Sequence, residues 1–174
     1  MKDLQFTPDG RPLVLVVTSG HFQPGPAGDP RRVEVVAWTG SDWQVHPVCE
    51  TTHNYDSGCL RILDADTWIL TGPHLPGPQH WGTGGEVGCW VTDDAGARWE
   101  LAATLTAGSE RNHAYVRAVR GGQPAFTAFW ADGDPHFFSD SHLYFTDAAH
   151  RVFRLPPVVK VLGFTGRYCF TLQP

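Results

Sequence analysis

The stretch Val87-Gly88-Cys89-Trp90-Val91-Thr92-Asp93-Asp94-Ala95-Gly96-Ala97-Arg98-Trp99-Glu100-Leu101-Ala102-Ala103-Thr104-Leu105 decides the fold. Two runs rich in β-branched and aromatic residues, Val87 to Thr92 and Trp99 to Leu105, flank a turn at Asp93 to Gly96. Turn residues between two such runs spell a β-hairpin. A short helix over Ala95 to Leu105 is the competing reading, and Gly96 and the β-rich surroundings argue against it. Within the turn, Thr92-x-Asp94-x-Gly96-x-x-Trp99 fits the Asp-box pattern. There the carboxylate takes turn N–H groups, glycine takes a positive φ, and the indole packs under the hairpin.

Working outward, the same arrangement recurs. A first unit holds Leu4 to Phe6, the Pro8-Asp9-Gly10 turn, Leu13 to Thr18, a long loop, Val33 to Trp38, a turn at Thr39 to Asp42, and Trp43 to Val48. The second holds Cys59 to Leu63, the Asp64-Ala65-Asp66 turn, Trp68 to Thr71, a long loop, and the quoted hairpin. The third holds Tyr115 to Val119, Gly121-Gly122, Ala125 to Trp130, a loop, Leu143 to Thr146, the turn Asp147 to His150 (a degraded Asp box), and Val152 to Leu155. First strands start near 4, 59 and 115, a period of about 55 residues. Two hairpins joined by a long loop make one four-stranded antiparallel blade. The sequence therefore predicts an all-β fold: a partial β-propeller of about three four-stranded antiparallel blades, a truncated ring. The blades run 4–48, 59–105 and 115–155, with a tail at 156–174, in one partial propeller domain over 1–174. A twelve-stranded sandwich is the runner-up and gives no reason for so regular a period. Propellers close with about 4 to 8 blades, so this chain reads as part of a ring. An open sheet edge predicts self-association.

Composition agrees with a packed domain: 41% hydrophobic and 18% charged residues in 174, with Trp 7 and Phe 10 favouring strands. The longest apolar run, Leu13 to Val17, is far short of the roughly 20 residues of a membrane helix. Net charge is −5 and no basic run exceeds Arg31-Arg32, which argues against nucleic acid. Of 13 basic residues only Lys2 and Lys160 are lysines, and arginine is the better fork for carboxylates. Cys49, Cys59, Cys89 and Cys169 form no CxxC, so a zinc ribbon is not expected, and Cys59 and Cys89 read as buried thiols. The N-terminus lacks a signal peptide's apolar region; the protein is cytoplasmic or an upstream part is missing.

Blade topology sends the two-three loops and the links between blades to one end of the molecule. That end receives His21, His53, His74, His80, His113, His136 and His142, seven of 9 histidines. Loops on a rigid scaffold carry binding and catalysis, and imidazole titrates near neutrality; loops also tolerate histidine without using it. The links Thr52 to Gly58 and Asn112 to Arg117 occupy equivalent places, and His, Tyr and Arg converging there supply a base, an acid and a carboxylate clamp.

The strings His53-Asn54-Tyr55-Asp56-x-Gly58, Gly84-Gly85-Glu86, Asn112-His113-x-Tyr115-x-Arg117 and Phe129 to Gly133, with the Asp box, resemble the bacterial BNR-repeat propeller family related to sialidases and ulvan-lyase-type polysaccharide lyases. The resemblance spans about Leu4 to Leu155 and covers neither the tail nor the family's other blades. It implies a carbohydrate-active protein, a lyase performing β-elimination on a uronate-containing glycan, with secretion or a periplasmic location. It implies His53 as base, Tyr115 as acid or shared acid and base, and His74 and Arg117 on the carboxylate. Tyr115 and Arg117 share strand parity, which favours one site. Asn54, Tyr55, His80, Trp81, Glu86 and His113 are the expected sugar-binding residues, with Trp81, Trp130 and Phe137 available for stacking. A sialidase-like hydrolase is the alternative, with Arg31, Arg111 and Arg117 as nominees for its arginine triad, and a non-catalytic glycan-binding or scaffold propeller fragment is another. No cofactor is expected; calcium at Asp56, Asp132 or Asp134, or zinc on loop histidines with a cysteine, has no compelling ligand set. The expected partner is an acidic polysaccharide.

Overall fold

A computed structural model describes residues 1–54, 56–121 and 123–156; Tyr55, Gly122 and the tail from 157, with Lys160 and Cys169, lie outside the described residues. Twelve strands are formed: β1 (Asp3–Phe6), β2 (Pro12–Thr18), β3 (Arg31–Trp38), β4 (Trp43–Thr51), β5 (Cys59–Ile62), β6 (Trp68–Leu75), β7 (Glu86–Thr92), β8 (Glu100–Thr104), β9 (Asn112–Ala118), β10 (Ala128–Gly133), β11 (Leu143–Thr146) and β12 (Val152–Arg154). They make three four-stranded antiparallel sheets, each a meander of consecutive strands. Among the described residues the fold is all-β, with one 3₁₀ turn at Pro26–Gly28.

The turns form as their chemistry dictates. Thr92 Oγ1 donates to the Asp94 carboxylate at 2.8 Å, that carboxylate accepts the Arg98 backbone N–H at 2.8 Å, and Gly96 sits at φ 88°. The 147–151 turn repeats this device: Asp147 accepts the Arg151 backbone N–H at 2.9 Å and its guanidinium at 2.7 Å, as Asp94 accepts the Arg98 guanidinium at 3.1 Å. The degraded copy thus retains the carboxylate that organises the turn. β10 begins three residues later than the sequence predicts. Phe126 N–H bonds to Gln123 O and Ala148 N–H bonds to Pro124 O, so residues 123–126 are held in the turn by a neighbouring hairpin.

The registers expose the internal repeat. Leu4, Val14, Val36 and Val45 form a cross-strand row in the first sheet. Leu60, Leu70, Trp90 and Leu101 form the corresponding row in the second. On the opposite faces, Gln5–Leu13–Ala37–Gln44, Arg61–Ile69–Val91–Glu100 and Arg117–Phe129–Phe145–Phe153 correspond across the three sheets. Gln5, Arg61 and Arg117 are spaced by 56 residues.

The sheets stack in chain order around two cores. Leu13, Leu15, Val33 and Val35 of the first sheet meet Leu60, Trp68, Leu70 and Trp90 of the second. Cys59, Val87 and Cys89 of the second meet Val116, Ala128 and Trp130 of the third. Alternate residues of one strand, such as Cys59 and Leu60, therefore serve different cores, as the period of two requires. The three first strands are neighbours, β1 against β5 and β5 against β9. Burial pushes the Cys49 and Cys59 thiols up to about 12, so they stay protonated and unreactive.

Candidate functional site

The loops and links interlock at one end of the sheets. Asn54 N–H donates to Gly82 O at 2.9 Å, its side-chain amide bonds to the Trp81 carbonyl, and its carbonyl oxygen accepts the Gly25 N–H at 3.4 Å. The Trp81 indole donates to Asp29 at 2.8 Å, and Asp29 in turn pairs with the buried Arg31. Gly85 and His113 exchange backbone bonds at 3.0 and 2.8 Å. Arg111 donates to Asp140 O at 2.5 Å. The glycines of the 76–85 loop are what let the layers approach: a Cβ at Gly84, φ 80°, would lie 2.0 Å from the His113 carbonyl oxygen.

This interlocking buries three of the predicted histidines. His53 is 2% exposed; its Nε2 accepts the Gly77 N–H at 2.8 Å, so the neutral ring carries its proton on Nδ1. Burial, then the nearby His80, pushes its pKa down. His74 is 4% exposed, wedged between Gly58 and Gly72, its ring 6.0 Å from that of Trp90. Burial, with Lys2 and His53 adding to it, pushes its pKa down to about 3. His113 accepts the Trp130 indole N–H at Nδ1 (3.0 Å), so Nε2 holds the proton and meets Ser109 Oγ at 3.0 Å. Ser109 Oγ donates to Glu86 at 2.9 Å, and Thr106 donates to the same carboxylate at 2.5 Å. The protein interior thus holds Glu86 and His113, expected at the sugar, and fills their bonding capacity. The direction of these bonds also means that His113 does not draw a proton from Ser109.

Tyr115 and Arg117 remain open to solvent but separate. Tyr115 is 61% exposed at φ 59°, and its backbone N–H bonds to both oxygens of buried Asp56 at 3.1 and 3.2 Å. Burial raises the Asp56 pKa against those bonds and the one from Ser57. A bulge breaks the expected alternation between Tyr115 and Arg117: Ala114 pairs with Ala131 and Arg117 with Phe129, so Tyr115 and Val116 together face Trp130 and the register slips by one residue. Tyr115 lines a cavity of about 340 Å³ with Thr83, Ala131 and Asp134. Arg117 lines a different one. The geometry gathers His53, His74, Asp56 and Tyr115 near the loop end but puts the two imidazoles beneath the surface. Asn54 laces loops together, His80 and Trp81 are exposed, and Tyr55 lies outside the described residues.

The cavity bearing Arg117 runs along the three first strands and measures about 520 Å³. Asp3 and Gln5 of the first sheet with Lys2 just before it, Arg61 of the second, and Arg117 of the third with Arg120 just after β9 line it. Asp3 is engaged by the backbone: it accepts the Leu4 and Leu60 N–H groups, both at 2.8 Å, tying β1 to β5. Among the described residues no carboxylate forms an ion pair with Arg61, Arg117 or Arg120. Sequence reasoning missed Lys2, Arg61 and Arg120, although the 56-residue recurrence of Arg61 and Arg117 was there to be found. It also missed the joining of Asp132, His142, Tyr144 and Arg111. Burial pushes the Asp132 carboxyl up, and bonds from the His142 N–H (2.6 Å), the His142 ring (3.1 Å) and Tyr144 (3.1 Å), with Arg111 at 3.8 Å, outweigh it and hold it below the usual range.

The three aspartates considered for calcium are spent separately, Asp56 on Tyr115, Asp132 on His142, and Asp134 on the His136 and Phe137 N–H groups. Among the described residues no three His, Cys, Asp or Glu side chains converge as a metal site. No family model, curated protein or solved structure matches the chain.

Proposed function

We propose that the three sheets are blades of a β-propeller, that the groove along their first strands is its axial channel, and that this channel binds an anionic glycan. One observation carries the reading. In a chain of net charge −5, four cationic side chains line a single groove whose one acidic residue, Asp3, is occupied by backbone N–H groups. Guanidinium groups grip planar carboxylates in a fork, and a groove about 520 Å³ in volume has room for a saccharide unit. The likeness of the loop strings to BNR-repeat propellers makes a uronate polymer the first choice. Trp81, Tyr115, Phe137 and Phe138 are exposed on the loop side and offer faces for sugar rings.

Binding is preferred to β-elimination because a base at His53 or a carboxylate clamp at His74 has to reach substrate, and both rings are buried. Affinity electrophoresis in polygalacturonate, against a neutral glucan, tests the reading. Retardation only by the acidic polymer is expected, weakening with salt, with an affinity loss of about tenfold for Arg61→Ala or Arg117→Ala. Equal retardation by the neutral polymer, or none by either, overturns it. Ultraviolet absorbance from unsaturated uronate, lost in Tyr115→Phe, would replace binding with lyase chemistry.

A further inference from the structure

The middle sheet shows what a covered face looks like. Its Leu60, Leu70 and Trp90 are sealed by the first sheet, and its Ile69 and Val91 pack toward the third. The corresponding positions on the two outer faces have no sheet packed over them among the described residues. Leu4, the counterpart of Leu60, is 42% exposed, and Val14 and Val36 are half-buried where their counterparts Leu70 and Trp90 are buried; at the outer end of the row Val45 is exposed, as Leu101 is in the second sheet. Phe129, the counterpart of Ile69, is 46% exposed. The row Phe129–Phe145–Phe153 runs straight across the third sheet, the last two rings stacked at 5.1 Å; Phe126, 4.7 Å from Phe145, covers its middle and leaves Phe129 open and Phe153 half-buried. Isolated exposed apolar residues are ordinary, but here both outer sheets leave apolar side chains open at register positions, those of Leu60 and Leu13, that are buried where a neighbouring sheet covers them.

We infer that a second copy of this chain covers both faces at once: the third sheet of each copy packs on the first sheet of the other, closing a ring of six blades around a two-fold axis. The inference rests on the propeller reading above. Three features select this occupant. The two open faces are of opposite sense, one equivalent to the face that the second sheet turns to the first, the other to the face it turns to the third, so they fit each other as consecutive sheets already do. Whole copies give multiples of three blades, and six is the multiple within the usual range of about 4 to 8. A four-stranded face measures about 19 Å by 16 Å from strand spacing and rise; two such faces on each copy present roughly 600 Å² in projection, and more once side-chain relief is counted, which is the scale of a stable interface. Closure also completes the channel, placing the partner's copies of Arg61 and Arg117 opposite this chain's own.

Sedimentation equilibrium of the full chain at micromolar concentration is the test, with an expected mass of twice 19.2 kDa. Val45→Arg on the first sheet and Phe129→Arg on the third are exposed positions that the monomer tolerates. Either substitution damages both seams of its own dimer and should raise the dissociation constant about a hundredfold. Mixing the two variants leaves one unaltered seam, third sheet of the first variant on first sheet of the second, so the mixture should associate where neither variant does alone. A wild-type monomer overturns the proposal and leaves the faces to another polypeptide or to the chain's remaining residues. So does a dimer indifferent to both substitutions, or one that mixing fails to restore. Polygalacturonate retardation of the same samples separates the two readings: a monomer that binds removes the ring and keeps the groove, whereas a dimer that does not bind removes the glycan and keeps the ring.

Discussion

Acidification should unfold this protein through its buried imidazoles, and His74 sets the scale. Its pKa is pushed from 6.5 to about 3 by burial against Gly58, Gly72 and Trp90. Below pH 6.5 the unfolded chain takes up a proton at this site that the folded chain refuses, so stability falls as pH falls from 6.5 towards 3. The slope is about 1.4 kcal/mol per pH unit, or about 2 kcal/mol lost between pH 7.5 and 5 from His74 alone. His53 and His113 are shifted in the same direction for the same first reason and add to the loss. Asp56 works the other way. Its raised pKa lets the folded state keep a proton that the unfolded chain releases, so it contributes stability as pH falls through its folded pKa. The assay is urea unfolding followed by tryptophan fluorescence at pH 7.5, 6.5, 5.5 and 5. The wild type is compared with His74→Gln, which removes one titrating ring. The variant's absolute stability is not the criterion; its pH slope is, and it should drop by about 1.4 kcal/mol per unit between pH 6 and 5. Identical slopes in the two proteins, or a wild type equally stable at pH 7.5 and 5, would refute the claim that His74 is sealed in neutral form.

Two further perturbations probe the interlocked end. Gly84→Ala places a methyl group 2.0 Å from the His113 carbonyl at φ 80° and must break the Gly85–His113 pairing, so a loss of about 3 kcal/mol in thermal or urea unfolding is expected. Gly108→Ala, at φ 65° with open space around it, should cost only about 1 kcal/mol, and equal losses would contradict the packing described. Trp130→Phe keeps an aromatic ring but removes the donor to His113 Nδ1 and opens a cavity in the core, which together should cost about 3 kcal/mol and release the His113 tautomer, read from imidazole nitrogen shifts; an unchanged tautomer would mean that the indole does not set it.

How much of this was legible in the chain varies with the range of the interaction responsible. The Thr92, Asp94 and Gly96 turn closes on atoms four residues apart, so its hairpin could be read directly. The late start of β10 could not, because the bond that holds Pro124 in the turn comes from Ala148, across a hairpin. The histidines divide the same way. Topology put His53, His74 and His113 on loops and links, where exposure is the natural expectation. Their burial arises from Gly77, Gly58 and Trp130, residues that neighbour them only after folding. The shared parity of Tyr115 and Arg117 was sound local reasoning undone by a bulge opposite Trp130.

By itself, then, the sequence determined the strands, the turns and their threefold recurrence, because alternation of side chains and turn chemistry act over a handful of residues. The tertiary structure alone decided which polar groups face water. Loops 20 to 60 residues apart in the chain close over one another, sealing the imidazoles inside and leaving the arginines of the first strands along an open groove. Desolvation depends on all the neighbours at once, and those neighbours are chosen by the packing of sheet upon sheet.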